Sequence, residues 1–189
     1  IAYKLGKDIV GIFPTDHFID DMDCFYSCLN QGIKLAESNK IITFGTQANF
    51  INKNYGHILA VNKHKNIYYG KAFVEKPGNK IDQDSSNLDN YFWNLGLFIF
   101  KTNMLENICG NYREIINLYL NDVYYQRIFI LDKEIFKLIK KGSFDILVMN
   151  SNIDFYMIHA DFKWMDIGNF KNILLYCYIN LFNKIFLSN

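Results

Sequence analysis

Proline is almost missing from this chain, occurring only as Pro14 and Pro77. Proline fixes φ and removes a backbone donor, so rigid punctuation is confined to two places, and both lie in stretches singled out below. A cysteine framework is missing as well. The cysteines are Cys24, Cys28, Cys109 and Cys177, and no second close pair or nearby histidine completes a zinc set around Cys24 and Cys28. Buried free thiols are the expectation, in keeping with a reducing cytoplasm. Neither sign of charge is in surplus: the formal net charge is +1 with acids and bases well mixed. That argues against a nucleic-acid binder held by a basic face. The N-terminus has no charged region followed by an apolar core, so no cleavable signal is expected. The apolar C-terminal run is broken by Asn180, Asn183 and Lys184 and is shorter than the ~20 residues of a membrane span. An amphipathic helix, and no membrane partner, is expected there. Gly-rich dinucleotide fingerprints and Walker-type phosphate loops do not occur.

What is present is a folding chain. Half of the residues are hydrophobic and 17% are aromatic, which excludes disorder. The length suits one domain with a full core, or one domain and a piece of another. The run from Ile9 to Phe13, stopped by Pro14, predicts a buried strand. Phe25, Cys28, Leu29, Ile33 and Ala36 can share one face of a helix over 20–38, with acids in its first turn. Further strands are predicted over 40–45, 57–61, 67–75 and 91–101, and helices over 104–120 and 133–141. Polar loops are predicted over 47–56 and 78–90. Strands alternating with helices indicate an α/β domain with a mostly parallel sheet.

Five stretches place polar residues where strands should end, which is where open α/β sheets bind ligands. They are "FPTDH" (13–17), "NYGHI" (54–58), "FVEKPG" (73–78), "FWNLGLF" (92–98) and "WMDIGNF" (164–170). Each has an ordinary structural reading: Asp16 can open a turn, Glu75 and Lys76 can form a solvated turn, and Asn94 can cap a strand end. Asp166 near Gly168 is a common turn signature. Asp21-Met22-Asp23 offers a D-x-D motif of the metal-dependent glycosyltransferase kind, or acids favoured by a helix dipole.

Taken together, the stretches resemble the sugar-nucleotide pyrophosphorylases, most closely the bacterial mannose-1-phosphate guanylyltransferases. That family carries "PADH", "TFG…GYGYI", "FVEKP", "WNSGMF", "SIDYAVME" and "WSDVGSW". In this chain "PTDH" stands at 14–17, "TFG…NYGHI" at 43–58, "FVEKP" at 73–77, "WNLGLF" at 93–98, "NIDFYMI" at 152–158 and "WMDIGNF" at 164–170. The resemblance implies a Rossmann-like nucleotidyltransferase fold with a mostly parallel, mixed sheet that is incomplete at the N-terminus. It implies a partial nucleotidyltransferase domain over 1–175, followed by a C-terminal amphipathic helix or tail over 176–189. The implied reaction joins mannose 1-phosphate to GTP, giving GDP-mannose and pyrophosphate. In it Asp16 and Asp166 would hold Mg²⁺, and Lys76 would meet the sugar phosphate as a point charge. Glu75 and Asn94 would bond sugar hydroxyls, Gly56 would let the backbone approach the sugar, and Tyr55 would pack beside it. His17 receives no role.

The chain departs from the family pattern in several places. The Gly-rich loop that cradles the nucleotide triphosphate belongs well upstream of "PTDH", where this sequence has only a few residues, so impaired activity of the chain alone is expected. Asn54 replaces the first glycine of "GYG", and Leu95 the serine of "WNSG". The short segment between "IDFYMI" and "WMDIG" implies a lost strand beside Asp166. Two readings follow: an enzyme domain completed by a separate N-terminal fragment, or a non-catalytic remnant that binds a sugar phosphate or a partner chain. Uncovered apolar surface would favour a homo-oligomer or docking of that fragment.

Overall fold

The computed structural model describes residues 8–76, 88–105, 108, 133–137, 142–149, 153–168 and 170–186. In chain order the elements are β1 (Ile9–Ile12), β2 (His17–Ile19), α1 (Met22–Ala36), β3 (Ile41–Gln47), β4 (His57–His64), β5 (Ile67–Val74) and β6 (Tyr91–Lys101). They continue through α2 (Lys133–Lys137), α3 (Phe144–Met149), β7 (Phe155–His159), β8 (Trp164–Asp166) and α4 (Phe170–Phe186). The expected strands are all present. The helix expected over 104–120, the loop over 78–90, and Cys109 lie for the most part outside the described residues.

Six strands form one sheet in the order β1-β6-β3-β7-β5-β4, and β4 also pairs with the first half of β6. The pairings therefore run in a closed circuit, because the β4–β5 hairpin bridges β6 and β7. The fold is α/β with a mixed sheet, as expected, but its balance differs from a mostly parallel one. Among the described strands only β3 and β7 run parallel; every other pairing is antiparallel. The cause is β6, which runs against all its neighbours, together with the hairpin. A hairpin needs no crossover helix.

Side chains alternate across a strand, and here both faces are covered. On one face Ile41, Phe92, Phe98, Phe100 and Met157 pack with Val148 and Met149 of α3. On the other, Ile42, Phe44, Leu97, Ile99 and Ile158 pack with Cys28 and Ala36 of α1. A helix on either side of the sheet makes a three-layer core. Burial pushes the Cys28 thiol up to about 11, so it stays a neutral packing group. Cys24, Cys28 and Cys177 are free.

The D-x-D reading is resolved by α1. Asp21 adopts φ 61 and N-caps the helix, its Oδ1 accepting from the Cys24 backbone N–H at 3.0 Å. A carboxylate that satisfies an orphan helix N–H is a cap, and Asp23 simply occupies the first turn. At the other terminus, α4 runs without a break across position 176. No helix among the described residues is long and apolar enough to cross a membrane. Phe170, Leu174, Leu175 and Tyr178 of α4 are exposed.

The turn entering β4 is held by a buried histidine. His57 has no accessible surface; its Nδ1–H donates to Tyr55 O at 3.0 Å and its Nε2 accepts from the Asn52 N–H at 3.3 Å. Both ring nitrogens are thus used by the neutral imidazole. Burial lowers the His57 pKa below its ordinary 6.5, against the opposing pull of the Tyr55 and Phe50 backbones. A depressed folded-state value means that the contribution is fully present above pH 6.5 and is lost as pH falls through the folded pKa. Replacing His57 by Phe should therefore cost roughly 1–3 kcal/mol at pH 8 in urea unfolding. That deficit should shrink as the pH drops below 6.5. A deficit of the same size at every pH would contradict the role given to the neutral ring.

Candidate functional site

Asp16 and Asp166 come from opposite ends of the described chain and are joined by a small ladder. β2 pairs with β8 antiparallel, placing His17 opposite Asp166. The ladder is extended by the Ile167 N–H donating to Asp16 O at 2.8 Å. Both carboxylates converge on Gly168. A Cβ there would collide with Asp16 Oδ2 and come within 3.0 Å of Asp166 Oδ1. The Gly168 N–H donates to Asp166 Oδ1 at 2.7 Å, and Asn172 Nδ2 donates to Asp166 O at 2.6 Å. Glycine is required by the close approach.

No group of three or more His, Cys, Asp or Glu among the described residues is placed to hold a metal. Two converging carboxylates are a donor set that fits a hard cation which takes its remaining oxygens from water and phosphate.

A second cluster collects the other motif residues. The Asn94 N–H donates to Gly56 O at 2.8 Å. A Cβ on buried Gly56 would sit 2.7 Å from the Phe73 ring and 3.1 Å from Glu75 Oε2. Lys76 Nζ lies 3.8 Å from Glu75 Oε1, and its backbone takes φ 42, a strained value for a non-glycine residue. Burial raises the Glu75 pKa, Asp145 raises it further, and Lys76 opposes both. Asn94 is 8% exposed; its Oδ1 accepts from Thr43 Oγ1 at 2.9 Å and its Nδ2 donates to Asp145 Oδ1 at 2.8 Å.

His17 and an aromatic row connect the two clusters. The Trp164 indole N–H donates to His17 Nδ1 at 3.1 Å. An indole only donates, so the proton of neutral His17 is on Nε2. Burial lowers the His17 pKa, while Asp166, Asp16 and Asp145 pull it up. The Tyr55 ring stands 5.3 Å from Trp164 and 5.6 Å from Trp93, and its pKa is raised by burial and then by Asp166. Gly96, at φ 67, lies where Pro14, His17 and Asp145 meet. The register between β3 and β6 shifts there, pairing Thr43 with Phe98 but Gly45 with Asn94. Gly96 supplies the positive φ of this bulge.

The structure thus gathers Asp16 with Asp166, and Gly56, Glu75 and Lys76 with Asn94, and sets Tyr55 between Trp93 and Trp164. It also corrects one motif assignment. Asp154 of "NIDFYMI" is exposed, ion-paired with Lys40 at 3.1 Å and bonded by Tyr69 OH at 2.9 Å. The residues after it are strand β7, buried at four of five positions and parallel to β3. The family's Ser-x-Asp segment is matched instead by "SFDILVM" at 143–149, where α3 delivers Asp145 to Asn94. Helix α3 and strand β7 both precede β8, and β2 is the strand that pairs with β8 among the described residues. Asp145 is an addition outside the matched stretches, whereas Thr43 and Trp164 open two of them without having been given a role. The Ser-x-Asp spacing is the available signal for the first, and it occurs again at Ser151-Asn-Ile-Asp154 only with one residue more.

The chain's similarities fit this geometry. The nucleotidyl transferase family profile matches residues 2–177. The mannose-1-phosphate guanylyltransferase of Escherichia coli is 26% identical over 172 residues, which span 86% of this chain and 37% of that protein. The xanthan biosynthesis protein XanB of Xanthomonas campestris pv. campestris (strain B100) is 27% identical over 177 residues, or 89% of this chain and 37% of the relative. The chain therefore spans little more than a third of the length of these relatives. The crystal structure of a mannose-1-phosphate geranyltransferase from Thermus thermophilus superposes with a TM-score of 0.71 at 22% identity, covering 90% of this chain and 50% of that one. That likeness concerns the fold. With the family profile running over residues 2–177 and the motif stretches falling in order along the same span, the chain belongs to the nucleotidyl transferase family.

Proposed function

We propose that these residues form the sugar-phosphate and metal half of a mannose-1-phosphate guanylyltransferase site, which joins mannose 1-phosphate to GTP and releases pyrophosphate in the cytoplasm. The observation that carries this reading is the convergence of Asp16 and Asp166 on Gly168, linked through His17 and Asp145 to the cluster of Gly56, Glu75, Lys76 and Asn94. Relatives named for the same activity support it. Asp16 and Asp166 would hold Mg²⁺, consistent with the divalent metal the family generally uses. Bound there, the ion supplies charge neutralisation for an in-line attack of the sugar phosphate on the α-phosphorus.

The chain's own groups bind and orient. Lys76 offers a point charge to the sugar phosphate. Glu75 and Asn94 offer hydrogen bonds to sugar hydroxyls. Tyr55, held between two tryptophans, packs beside the sugar, and buried Gly56 keeps the backbone close.

Two titrations test this directly. Mg²⁺ should strengthen mannose 1-phosphate binding by the unaltered chain, and Asp166→Asn should remove that enhancement; an enhancement that survives would refute the metal role. Lys76→Ala should weaken the same binding about tenfold, the scale of one charge-assisted hydrogen bond, and unchanged affinity would exclude the phosphate contact. A second reading is that these 189 residues bind a sugar phosphate without by themselves transferring a nucleotide, since no Gly-rich phosphate loop occurs among them. Pyrophosphate release from GTP and mannose 1-phosphate by the chain alone should accordingly be negligible. Robust turnover would overturn the need for that loop.

The exposed apolar side chains of α4, Phe170, Leu174, Leu175 and Tyr178, support self-association as a homo-oligomer.

A further inference from the structure

The Asn94 amide sits in a buried strand where its polarity is a choice, because Oδ1 and Nδ2 have nearly the same shape. Thr43 does not make that choice. Its Oγ1 lies 2.9 Å from Asn94 Oδ1 and 3.1 Å from Leu97 O. It can give its proton to the amide oxygen, or give it to Leu97 O and accept from the amide nitrogen. Asp145 does make it. An ionised carboxylate only accepts, so the atom 2.8 Å from Asp145 Oδ1 must be Nδ2. Oδ1 is then turned to Thr43, and the Thr43 proton is drawn onto Asn94. The chain of bonds runs one way, Thr43 to Asn94 to Asp145, and among the described residues it leaves one amide N–H and one Oδ1 lone pair for a ligand.

Asp145 is also well placed to act in the site. Its carboxylate is felt by both Glu75 and His17, and Oδ1 lies 3.8 Å from the position a Gly96 Cβ would take. It stands at the junction of the carboxylate pair and the motif cluster.

We propose that Asp145 is the positioning residue of the sugar subsite, fixing the polarity of the Asn94 amide so that the site meets its ligand with a defined donor and acceptor. This rests on the sugar-phosphate reading above for the identity of the ligand, but not for the hydrogen-bond direction. A nitrogen-labelled full chain tests both. The Asn94 side-chain amide, identified by its loss in Asn94→Asp, should show one proton strongly protected from exchange. In Asp145→Asn the new amide can donate or accept, so the Asn94 signals should shift or double, while mannose 1-phosphate binding falls about tenfold with the backbone spectrum otherwise retained.

Asn94 signals unchanged in Asp145→Asn would overturn the proposal. Thr43→Val is the second variant: with Asp145 intact it should keep the protected amide proton, and scrambling there instead would equally overturn it. If the unaltered chain does not bind mannose 1-phosphate, the sugar reading fails. The amide signature still decides the role of Asp145.

Discussion

One strand buried on both faces dictates most of what surrounds it. β6 pairs with β1, β3 and β4, and Phe92, Leu95, Leu97, Phe98, Ile99 and Phe100 are each at most 1% exposed. A strand so placed leaves no room for a polar group without partners, since burying an unsatisfied amide costs several times what a good hydrogen bond returns. Asn94 nevertheless lies within it. The register shift at Gly96 lies beside it, and Thr43 on the adjacent strand and Asp145 of α3 satisfy that single amide. What the fold does for Asn94, it does for the site, because Gly56, Asp145 and Pro14 are brought in by the same arrangement.

The electrostatic character of the site follows. Asp16, Asp166 and Asp145 surround His17, and Asp145 also acts on Glu75. Burial and Asp145 push the Glu75 carboxyl up, while burial lowers His17 against three acids. An anionic ligand entering such a place is repelled unless cations accompany it. Lys76 is one, held at an unfavourable φ beside Glu75. The carboxylate pair at Gly168 is suited to hold another. Acid-rich surroundings and a phosphate ligand are compatible only in that company.

The sequence is legible where local chemistry decides structure. Continuous apolar runs ended by Pro14 or Gly45 predict strands, and those strands are present. The apolar face of α1 is readable from its spacing, and its acids from the cap. β2 and β8 are not legible, since three residues carry no period. Helix α3 escapes notice for a related reason: its contiguous Ile146, Leu147, Val148 and Met149 show no helical alternation over so short a length. Asp154 stands in for Asp145 in a motif reading because both follow a serine and precede an apolar run. Only tertiary placement separates the acid bonded to Asn94 from the acid bonded to Lys40. Motif order proposes Asp16, Asp166, Gly56, Glu75 and Asn94 as candidates, but their placement in space is not legible, because register and bulges are set by pairing partners far away in sequence.

The β2–β8 ladder carries a consequence for how the protein is made. The hydrogen bond between Trp164 and His17 spans 147 positions of sequence, among the longest-range contacts in the molecule. A ribosome releasing the chain exposes Asp16 well before its carboxylate partner, which emerges only with the segment that ends at Gly168. Until then β2 has no strand to lie against. The carboxylate pair is thus completed only after β1 to β7 have been made, and a nascent chain cut short before that segment would carry Asp16 and most of the sheet but no Asp166.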